Sequence, residues 1–307
     1  DWYFIDGFPL KSEWGEIPNF KCFGYYGGMP KLNLKNPEVE KYITDVACYW
    51  IKECDIDGWR LDVGDEISHF FWKNFRKAVK AVKKDMLIIG EIWHYAGDFL
   101  EGDEWDTVMN YPFYLNLIDL LADEKITVSQ FVQNLGYLKG RLHKNCYPLM
   151  WNLIDSHDTA RFLHLCNDNK KKQHLAAAFQ LLLPGMPMIY YGDEYAMPGA
   201  NDPDCRRGMY WDEEYQDKEM YEWYKRLIQV RKSHACIVEG ELAGSVTEDE
   251  EGTIVLIRKN GEETIAMIFN CSSSAKKFNE YTQKYNLLTE NTFDGNVEGF
   301  DAAVIVL

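Results

Sequence analysis

The amino-acid sequence predicts an α/β fold, a (β/α)8 TIM barrel followed by a small antiparallel β-sandwich domain. Short apolar runs rich in β-branched residues alternate with helical segments over residues 1–235. Several of these runs end in an acidic residue, and residues 236–307 are rich in β-formers and turn signals. These three observations predict two domains, residues 1–235 and residues 236–307.

Five apolar runs are predicted to form strands, because they are short, β-branched-rich and bounded by polar residues. They are Ile56–Val63, Met86–Ile92, Thr107–Tyr111, Leu149–Ile154 and Met188–Tyr191. Strands that alternate with helices form βαβ units, so the sheet they build is expected to be parallel.

Four segments between or after these strands have helical spacing of their apolar residues. They are Pro37–Glu53, Phe70–Lys84, Leu175–Leu183 and Glu219–Arg231. The first has the clearest start signal, since Asn36 is a suitable cap and Pro37 occupies the first helical position.

A doubly wound sheet and a barrel both satisfy this alternation of strands and helices. A doubly wound nucleotide-binding sheet would be indicated by a glycine-rich phosphate turn after an early strand, and the sequence has none. Acidic residues at the carboxyl ends of several strands favour the barrel, whose active sites are built from the loops at that end.

The C-terminal region differs in character from the segments before it. The runs Thr253–Arg258, Thr264–Asn270 and Ala303–Leu307 are predicted strands, and turn residues separate them. The charged cluster Thr247–Glu251 is interpreted as a solvated loop. No segment of helical length and period follows residue 236, so this region is predicted to be a small antiparallel domain.

Composition excludes some classes of partner. The formal net charge of -16 argues against nucleic acid, whose binding depends on clustered Lys and Arg. No apolar run is long enough to predict a membrane span. The eight cysteines are scattered without metal-like spacing, which is typical of reduced thiols and predicts a cytoplasmic protein; no metal-ligating residues are predicted.

The first candidate site residues are Arg60 and Asp62. They lie two residues apart at the end of a predicted strand, so both side chains project to the same face. A neighbouring cation keeps a carboxylate ionised, as a nucleophile requires. A buried structural ion pair is an equally frequent explanation of this pattern.

Further acids follow later predicted strands. Glu91 precedes Trp93 at the end of the next strand, and an apolar wall there would keep the glutamate protonated and able to donate. Asp155, Asp158 and Asp193 continue the pattern. Acids at four strand ends are hard to explain as simple solvation.

Four stretches in order resemble a known family. Gly58–Val63, Gly90–His94 and Ser156–Thr159 resemble three signature regions of the α-amylase family. Met29–Asn33 resembles a motif of its neopullulanase, cyclomaltodextrinase and maltogenic amylase branch. The resemblance continues through Asn201–Arg206 into the C-terminal β domain.

The resemblance implies a retaining glycosidase with three working carboxylates. Asp62 would be the nucleophile, Glu91 the acid/base and Asp158 the third carboxylate, with the two working carboxyls roughly 5–5.5 Å apart. Arg60 and His157 would bind the same sugar, and Trp93 would stack on the neighbouring one. The remaining candidate contacts, for which a structural role is an equal alternative, are His94, Asp202 and Arg206.

The sequence departs from the family pattern in two places. The family's third-strand region has no counterpart, and Asp1–Phe4 resembles the loop after that strand, so we expect only strands four to eight of the barrel here. Gly64-Asp65 stands where the branch usually has Ala-Asn. The branch usually dimerises through an N-terminal domain, so we expect a homodimer formed by a region that is missing here.

The expected activity is hydrolysis of α-1,4 bonds, with α-1,6 bonds as an open alternative, in cyclodextrins, pullulan or malto-oligosaccharides, and the binding partner is an oligosaccharide. No cofactor is implied, and structural calcium stays an open alternative because its ligands are irregular in sequence. A transglycosylase or isomerase would use the same residues. A non-catalytic binding module is a third alternative, although it would be expected to have lost one of the acids.

Overall fold

The computed structural model describes residues 1–13 and 17–307, which form two compact units. The first unit is Asp1–Met109 and the second is Asn110–Leu307. Among the described residues, the helices are all too short or too polar to cross a membrane.

The first unit contains two helices and a three-stranded parallel sheet. Its elements are α1 (Pro37–Cys54), β1 (Gly58–Leu61), α2 (His69–Val82), β2 (Leu87–Gly90) and β3 (Thr107–Val108). The sheet has the order β1-β2-β3, so the chain adds neighbouring parallel strands in sequence. The two predicted helices and the three predicted strands of this unit are confirmed, although the strands are shorter than predicted.

Both helices of this unit begin at capping side chains. The Asn36 side chain accepts a hydrogen bond from Glu38 N, and Pro37 follows at the first helical position. Ser68 Oγ accepts from Phe71 N in the same way at the start of α2. These side chains satisfy backbone donors that a helix leaves unpaired at its amino end.

The register of β1 and β2 places the ends of the two strands side by side. Leu61 pairs with Gly90 at the last position, and Glu91 N donates to Leu61 O over 3.0 Å. Gly64 N returns a bond to Glu91 O over 3.1 Å. The residues that follow the two strands therefore share one edge of the sheet.

The second unit begins with helices and two short parallel strands. In order these are α3 (Tyr111–Leu117), α4 (Val128–Arg141), β4 (Trp151–Asn152), α5 (Phe162–Leu165), α6 (Lys170–Leu182), β5 (Met186–Pro187), α7 (Lys218–Ser233) and α8 (Ala235–Glu239). A π-helical segment, Ile118–Ala122, continues α3. The predicted helices in α6 and α7 are confirmed.

The predicted strand at Met188–Tyr191 is wrong in position. The strand is β5, and Met186 pairs with Trp151 of β4. Met188 N still donates to Asn152 O over 2.8 Å, but the chain then turns at Gly192, which has a positive φ of 89°. Only two residues of the apolar stretch that begins at Met186 therefore pair as a regular strand.

The C-terminal part of the second unit is an antiparallel sheet. Its strands are β6 (Glu241–Glu248), β7 (Thr253–Asn260), β8 (Glu263–Asn270), β9 (Lys276–Lys277), β10 (Tyr285–Asn286), β11 (Asn291–Thr292), β12 (Asn296–Val297) and β13 (Asp301–Val306). Six of them form a sheet in the order β11-β10-β13-β8-β7-β6, and β9 pairs with β12. The three predicted strands are confirmed. The predicted loop at Thr247–Glu251 is partly wrong, because its first two residues end β6.

Both faces of the central strands β7 and β8 are buried. Side chains alternate along β7, so Ile254 and Leu256 face a core that includes α6, whereas Val255 joins a smaller core with Phe293. On the helix side, Phe179 of α6 stacks on Phe269 of β8 with ring centroids 4.3 Å apart. The sheet is therefore fixed to the helices by one continuous apolar core.

Candidate active site

In the first unit, Arg60 links the two candidate catalytic carboxylates. Arg60 Nη1 forms an ion pair with Asp62 Oδ1, and Arg60 Nη2 lies 3.0 Å from Glu91 Oε1. This arrangement follows from the register, because Arg60 is near the end of β1, Asp62 follows that strand and Glu91 follows β2. Asp62 is mostly exposed, as a group that must reach a substrate requires, whereas Glu91 is buried.

The Glu91 carboxyl group is held by hydrogen-bond donors on both oxygens. Val63 N donates to Glu91 Oε2 over 2.8 Å, and Trp93 Nε1 donates to Oε1 over 3.4 Å. The tryptophan thus offers its polar edge to Glu91, where the sequence predicted an apolar wall. Trp93 as a whole residue remains 41% exposed.

His94 lies beside this group but binds another acid. Its Nε2 is 3.0 Å from Asp65 Oδ2, in the short 3-10 turn Gly64–Glu66 that follows the nucleophile candidate. Asp65, which stands where the family branch usually has Asn, therefore contacts His94, a residue predicted to bind the sugar. Both side chains are accessible, with His94 68% exposed.

In the second unit, four predicted site residues form a chain of polar contacts. His157 Nε2 lies 3.2 Å from Asp158 Oδ2, and Arg206 Nη2 lies 3.3 Å from Asp158 Oδ1. Arg206 Nε also contacts Asp202 Oδ1 over 3.0 Å and donates to His157 O over 2.8 Å. Arg206 thus holds both the side chain of Asp158 and the backbone beside it.

Short local hydrogen bonds shape the loop that carries Asp158. Ser156 Oγ accepts from Asp158 N over 3.2 Å, and Thr159 Oγ1 accepts from Ser156 N over 2.9 Å. The Tyr111 hydroxyl lies 3.2 Å from Ser156 Oγ. The Ser-His-Asp-Thr stretch therefore fixes its own backbone, which gives the two small hydroxyl residues a structural role.

The structure brings the nine predicted residues together in two groups. Within the first unit Arg60 contacts Asp62 and Glu91, and Glu91 contacts Trp93, while His94 lies alongside on Asp65. Within the second unit the contacts join His157, Asp158, Asp202 and Arg206. Sequence reasoning missed a buried cluster below this second group, formed by Asp155, Arg161 and Asp193. The signal was present, since two of its members are strand-end acids.

Metal binding has no candidate in the part of the chain that the structure describes. No three His, Cys, Asp or Glu side chains among residues 1–13 and 17–307 are grouped so that they could hold an ion. The carboxylates of the two groups instead contact arginine side chains.

Comparison with known proteins identifies the family. The α-amylase catalytic domain family matches residues 12–240 of the chain. The chain belongs to the α-amylase family. A cyclomaltodextrinase of Geobacillus thermopakistaniensis is 46% identical over 275 residues, which are 90% of this chain and 46% of that protein. Neopullulanase 2 of Thermoactinomyces vulgaris is 40% identical over 271 residues, 88% of this chain and 46% of that protein.

Solved structures of α-amylase family relatives have the same fold. One cyclomaltodextrinase structure has a TM-score of 0.91 and 35% identity, covering 99% of this chain and 55% of that one. A cyclic α-maltosyl-(1→6)-maltose hydrolase from Arthrobacter globiformis, in complex with that cyclic sugar, has a TM-score of 0.88 and 31% identity. It covers 100% of this chain and 68% of that one.

These findings confirm the predicted membership of the α-amylase family and the resemblance to its cyclomaltodextrinase and neopullulanase branch. They also support the family's TIM-barrel fold, and the antiparallel sheet fits the predicted C-terminal β domain. The chain spans about half the length of the curated relatives it matches.

Proposed function

We propose that the protein to which this chain belongs is a retaining α-glucan hydrolase. The observation that carries the proposal is the contact of one cation, Arg60, with two carboxyl groups at neighbouring strand ends. A retaining glycosidase needs two carboxyls on adjacent supports, one ionised for attack and one that donates and accepts a proton.

The three acids have distinct roles in this mechanism. Asp62 attacks the anomeric carbon and forms a glycosyl ester, while Glu91 protonates the departing oxygen. Glu91 then removes a proton from the water that hydrolyses the ester. Asp158 binds hydroxyl groups of the distorted sugar, and its contacts with His157 and Arg206 hold it for this purpose.

The substrates we propose are cyclodextrins, pullulan and short malto-oligosaccharides, cleaved at α-1,4 and α-1,6 bonds. Relatives named cyclomaltodextrinase, maltogenic amylase and neopullulanase support this choice. The exposed ring of Trp93 beside Glu91 is suited to stack on the sugar of the leaving group. A transglycosylase would share every residue, and product analysis with maltotriose separates the two reactions.

Three further expectations complete the proposal. The parallel strands β1 to β5 supply strands four to eight of the family barrel, a homodimer forms through an N-terminal region, and the protein is cytoplasmic. The chemistry needs no cofactor, since carboxyl groups carry every proton and covalent step. Structural calcium remains open as an alternative.

The test is removal of each working carboxyl in the complete protein. Asp62→Asn and Glu91→Gln keep the shape of the side chain, and each is expected to lower kcat by several orders of magnitude. Proton NMR of the wild-type reaction is expected to detect the α-anomer first, because two inversions retain configuration.

Asp57→Asn is the matched control, because Asp57 is an exposed acid directly before β1, at the opposite end of the strand from Asp62. It is expected to leave kcat unchanged. Near-normal turnover in Asp62→Asn or Glu91→Gln, or an initial β-anomer, would contradict the catalytic assignment.

A further inference from the structure

Asp155, Arg161 and Asp193 form a charged cluster in the interior of the second unit. Each of the three is about 1% exposed, and they come from the ends of the loops that follow β4 and β5. A buried ionised group is costly unless every charge is balanced and hydrogen-bonded. The charge state of this cluster therefore depends on how its three charged groups are balanced and hydrogen-bonded.

Arg161 is bound on several sides. Its Nη1 contacts Asp193 Oδ1 over 2.9 Å and donates to Tyr191 O over 2.6 Å. Its Nε donates to Cys205 O over 3.2 Å, and its guanidinium carbon lies 4.2 Å from the centroid of the Tyr190 ring. Arg161 is thus a fixed single positive charge in the cluster.

Each of the two carboxyl groups has one oxygen bound to a protein donor and a second, buried oxygen that no protein donor reaches. Phe162 N donates to Asp155 Oδ2 over 2.8 Å, and Arg161 occupies Asp193 Oδ1. In residues 1–13 and 17–307, no N–H or O–H group reaches Asp155 Oδ1 or Asp193 Oδ2. The side chains of Asp155 and Asp193 are nevertheless close enough to interact, and two carboxyl groups can form a hydrogen bond only when one proton lies between them.

Charge balance leads to the same conclusion. Two ionised carboxylates and one guanidinium would leave an uncompensated negative charge where all three groups are buried. One proton makes the cluster neutral. Burial and the neighbouring Asp155 carboxyl raise the pKa of Asp193 well above its usual range. Burial also raises the pKa of Asp155.

We propose that Asp155 and Asp193 together hold one proton at neutral pH, shared in a hydrogen bond between the two carboxyl groups, and that this pair with Arg161 positions the loop of His157 and Asp158. The positioning role rests on the proposed function, whereas the shared proton does not.

The positioning follows from where the bonds begin and end. Asp155 precedes the loop, and its bond to Phe162 N, seven positions later, closes the segment that contains His157 and Asp158. Arg161, inside that span, binds Cys205 O, while the Cys205 thiol lies 3.4 Å from His157 O. A second ionised carboxylate in the cluster would repel Asp155 and loosen this closure.

The other titratable groups around Asp155 and Asp193 do not balance the charge of the pair near neutral pH. Tyr224 of α7 is fully buried, and burial together with Asp193 and Asp155 raises its pKa well above the usual range. Burial raises the pKa of Tyr114 of α3 to about 12 and is also the main cause of the raised pKa of Tyr190. Glu194 is engaged by Gly192 N over 2.8 Å. The pair and Arg161 are therefore the groups that change charge or balance it near neutral pH.

Linkage between protonation and unfolding tests the shared proton without any assay of activity. Asp193 has a raised folded pKa, so its contribution to stability is present at low pH and is lost as pH rises through that pKa. An unfolded aspartate is ionised above about pH 4. From about pH 5 to pH 7 the unfolding equilibrium constant of the wild type should therefore rise about tenfold per pH unit relative to Asp193→Asn.

Asp155→Asn is the second variant, because it also leaves one carboxylate beside Arg161 and removes the linked proton. Asp212→Asn is the control, since Asp212 is exposed and its side chain caps no helix. Urea unfolding at several pH values should give the same slope difference for both buried variants and none for the control. A stability difference that is constant across this pH range would overturn the proposal.

Infrared difference spectroscopy provides an independent measurement. The difference spectrum of the wild type minus Asp193→Asn at neutral pH should contain the C=O stretch of one protonated carboxylic acid. A difference spectrum with only carboxylate bands would overturn the proposal.

The positioning role is tested by kinetics of the complete enzyme. Asp193→Asn should retain kcat, while Asp193→Leu should lower kcat about tenfold or more with little change in KM. Equal kcat in the two variants of an active enzyme would reject positioning, whereas a wild type without hydrolysis would reject the proposed function alone.

Discussion

His174 shows how a single partly buried side chain sets a pH dependence. It lies on α6, stacked on Trp223 with ring centroids 3.8 Å apart, and burial lowers its pKa to about 4. A lowered histidine pKa contributes stability above the unfolded value of about 6.5, and that stability is lost as pH falls towards 4. This single group should therefore cost the wild type about 2 kcal/mol between about pH 7 and pH 5.

The variant His174→Phe keeps an aromatic ring on Trp223 but has no proton to gain. In urea unfolding, this variant should not have the loss of stability that His174 causes in the wild type between about pH 7 and pH 5. The control is His143→Phe, because His143 is exposed. The neighbouring Asp301, whose pKa burial raises to about 6, has the opposite trend, and it is present in all three proteins. An equal loss of stability in the wild type and in His174→Phe would contradict the explanation.

At the scale of elements, the close packing of β2 depends on glycine, which has no side chain, at position 90. A Cβ atom added at Gly90 would overlap the ring of Trp105, which is buried and stacked on Phe99 with centroids 4.1 Å apart. The ring cannot move aside, so Gly90→Ala should destabilise the protein by about 2–3 kcal/mol.

The same substitution at Gly136 is the control, since this residue is inside α4 and has open space around it. There alanine should stabilise the protein by about 0.5–1 kcal/mol, because glycine loses more backbone entropy in a helix. Thermal or urea unfolding measures both effects. A change of the same sign in the two variants would show that Trp105 does not limit the space at β2.

Elements with strong local signals were predictable from the sequence, and those defined by tertiary contacts were not. The cap at Asn36 and the apolar spacing after it predicted α1 almost to the residue. By contrast, α4 begins at a capping box of Thr127 and Gln130 that sequence reasoning overlooked. The end of β5 depends on packing of the following loop against Arg161, which no local pattern contains.

The candidate site divides in the same way. Arg60, Asp62 and Glu91 were predictable because strand periodicity and strand ends place them together. The polar contact of Trp93 with Glu91 was not predictable, because it depends on the rotamer of the ring. The carboxyl pair of Asp155 and Asp193 was also missed, because the two loops meet only in the folded chain.

At the scale of the whole molecule, one apolar core joins the C-terminal sheet to helices that precede it in the sequence. Phe179 and Phe269 are fully buried and stacked across this junction. Each substitution by alanine should cost about 3–5 kcal/mol. The double variant should reveal a coupling of about 1 kcal/mol, as is usual for an aromatic pair in contact.

Phe293 is the control for this cycle, because it lies in the smaller core on the other face of the sheet. Its substitution should be additive with Phe179→Ala to within about 0.5 kcal/mol in urea unfolding. If the stability losses of Phe179→Ala and Phe269→Ala were simply additive, the contact between the two rings would not couple the sheet to the helix. The predicted domain boundary after residue 235 stays a prediction.

The stacked junction also has a consequence for protein engineering. A chimera that exchanges residues 236–307 between relatives would place a foreign sheet against the native α6. Ring shapes at two positions would then have to match, although the two lie on opposite sides of the splice. Grafts that transfer Phe179 together with Phe269 should therefore be recovered in soluble form more often than grafts cut after residue 235.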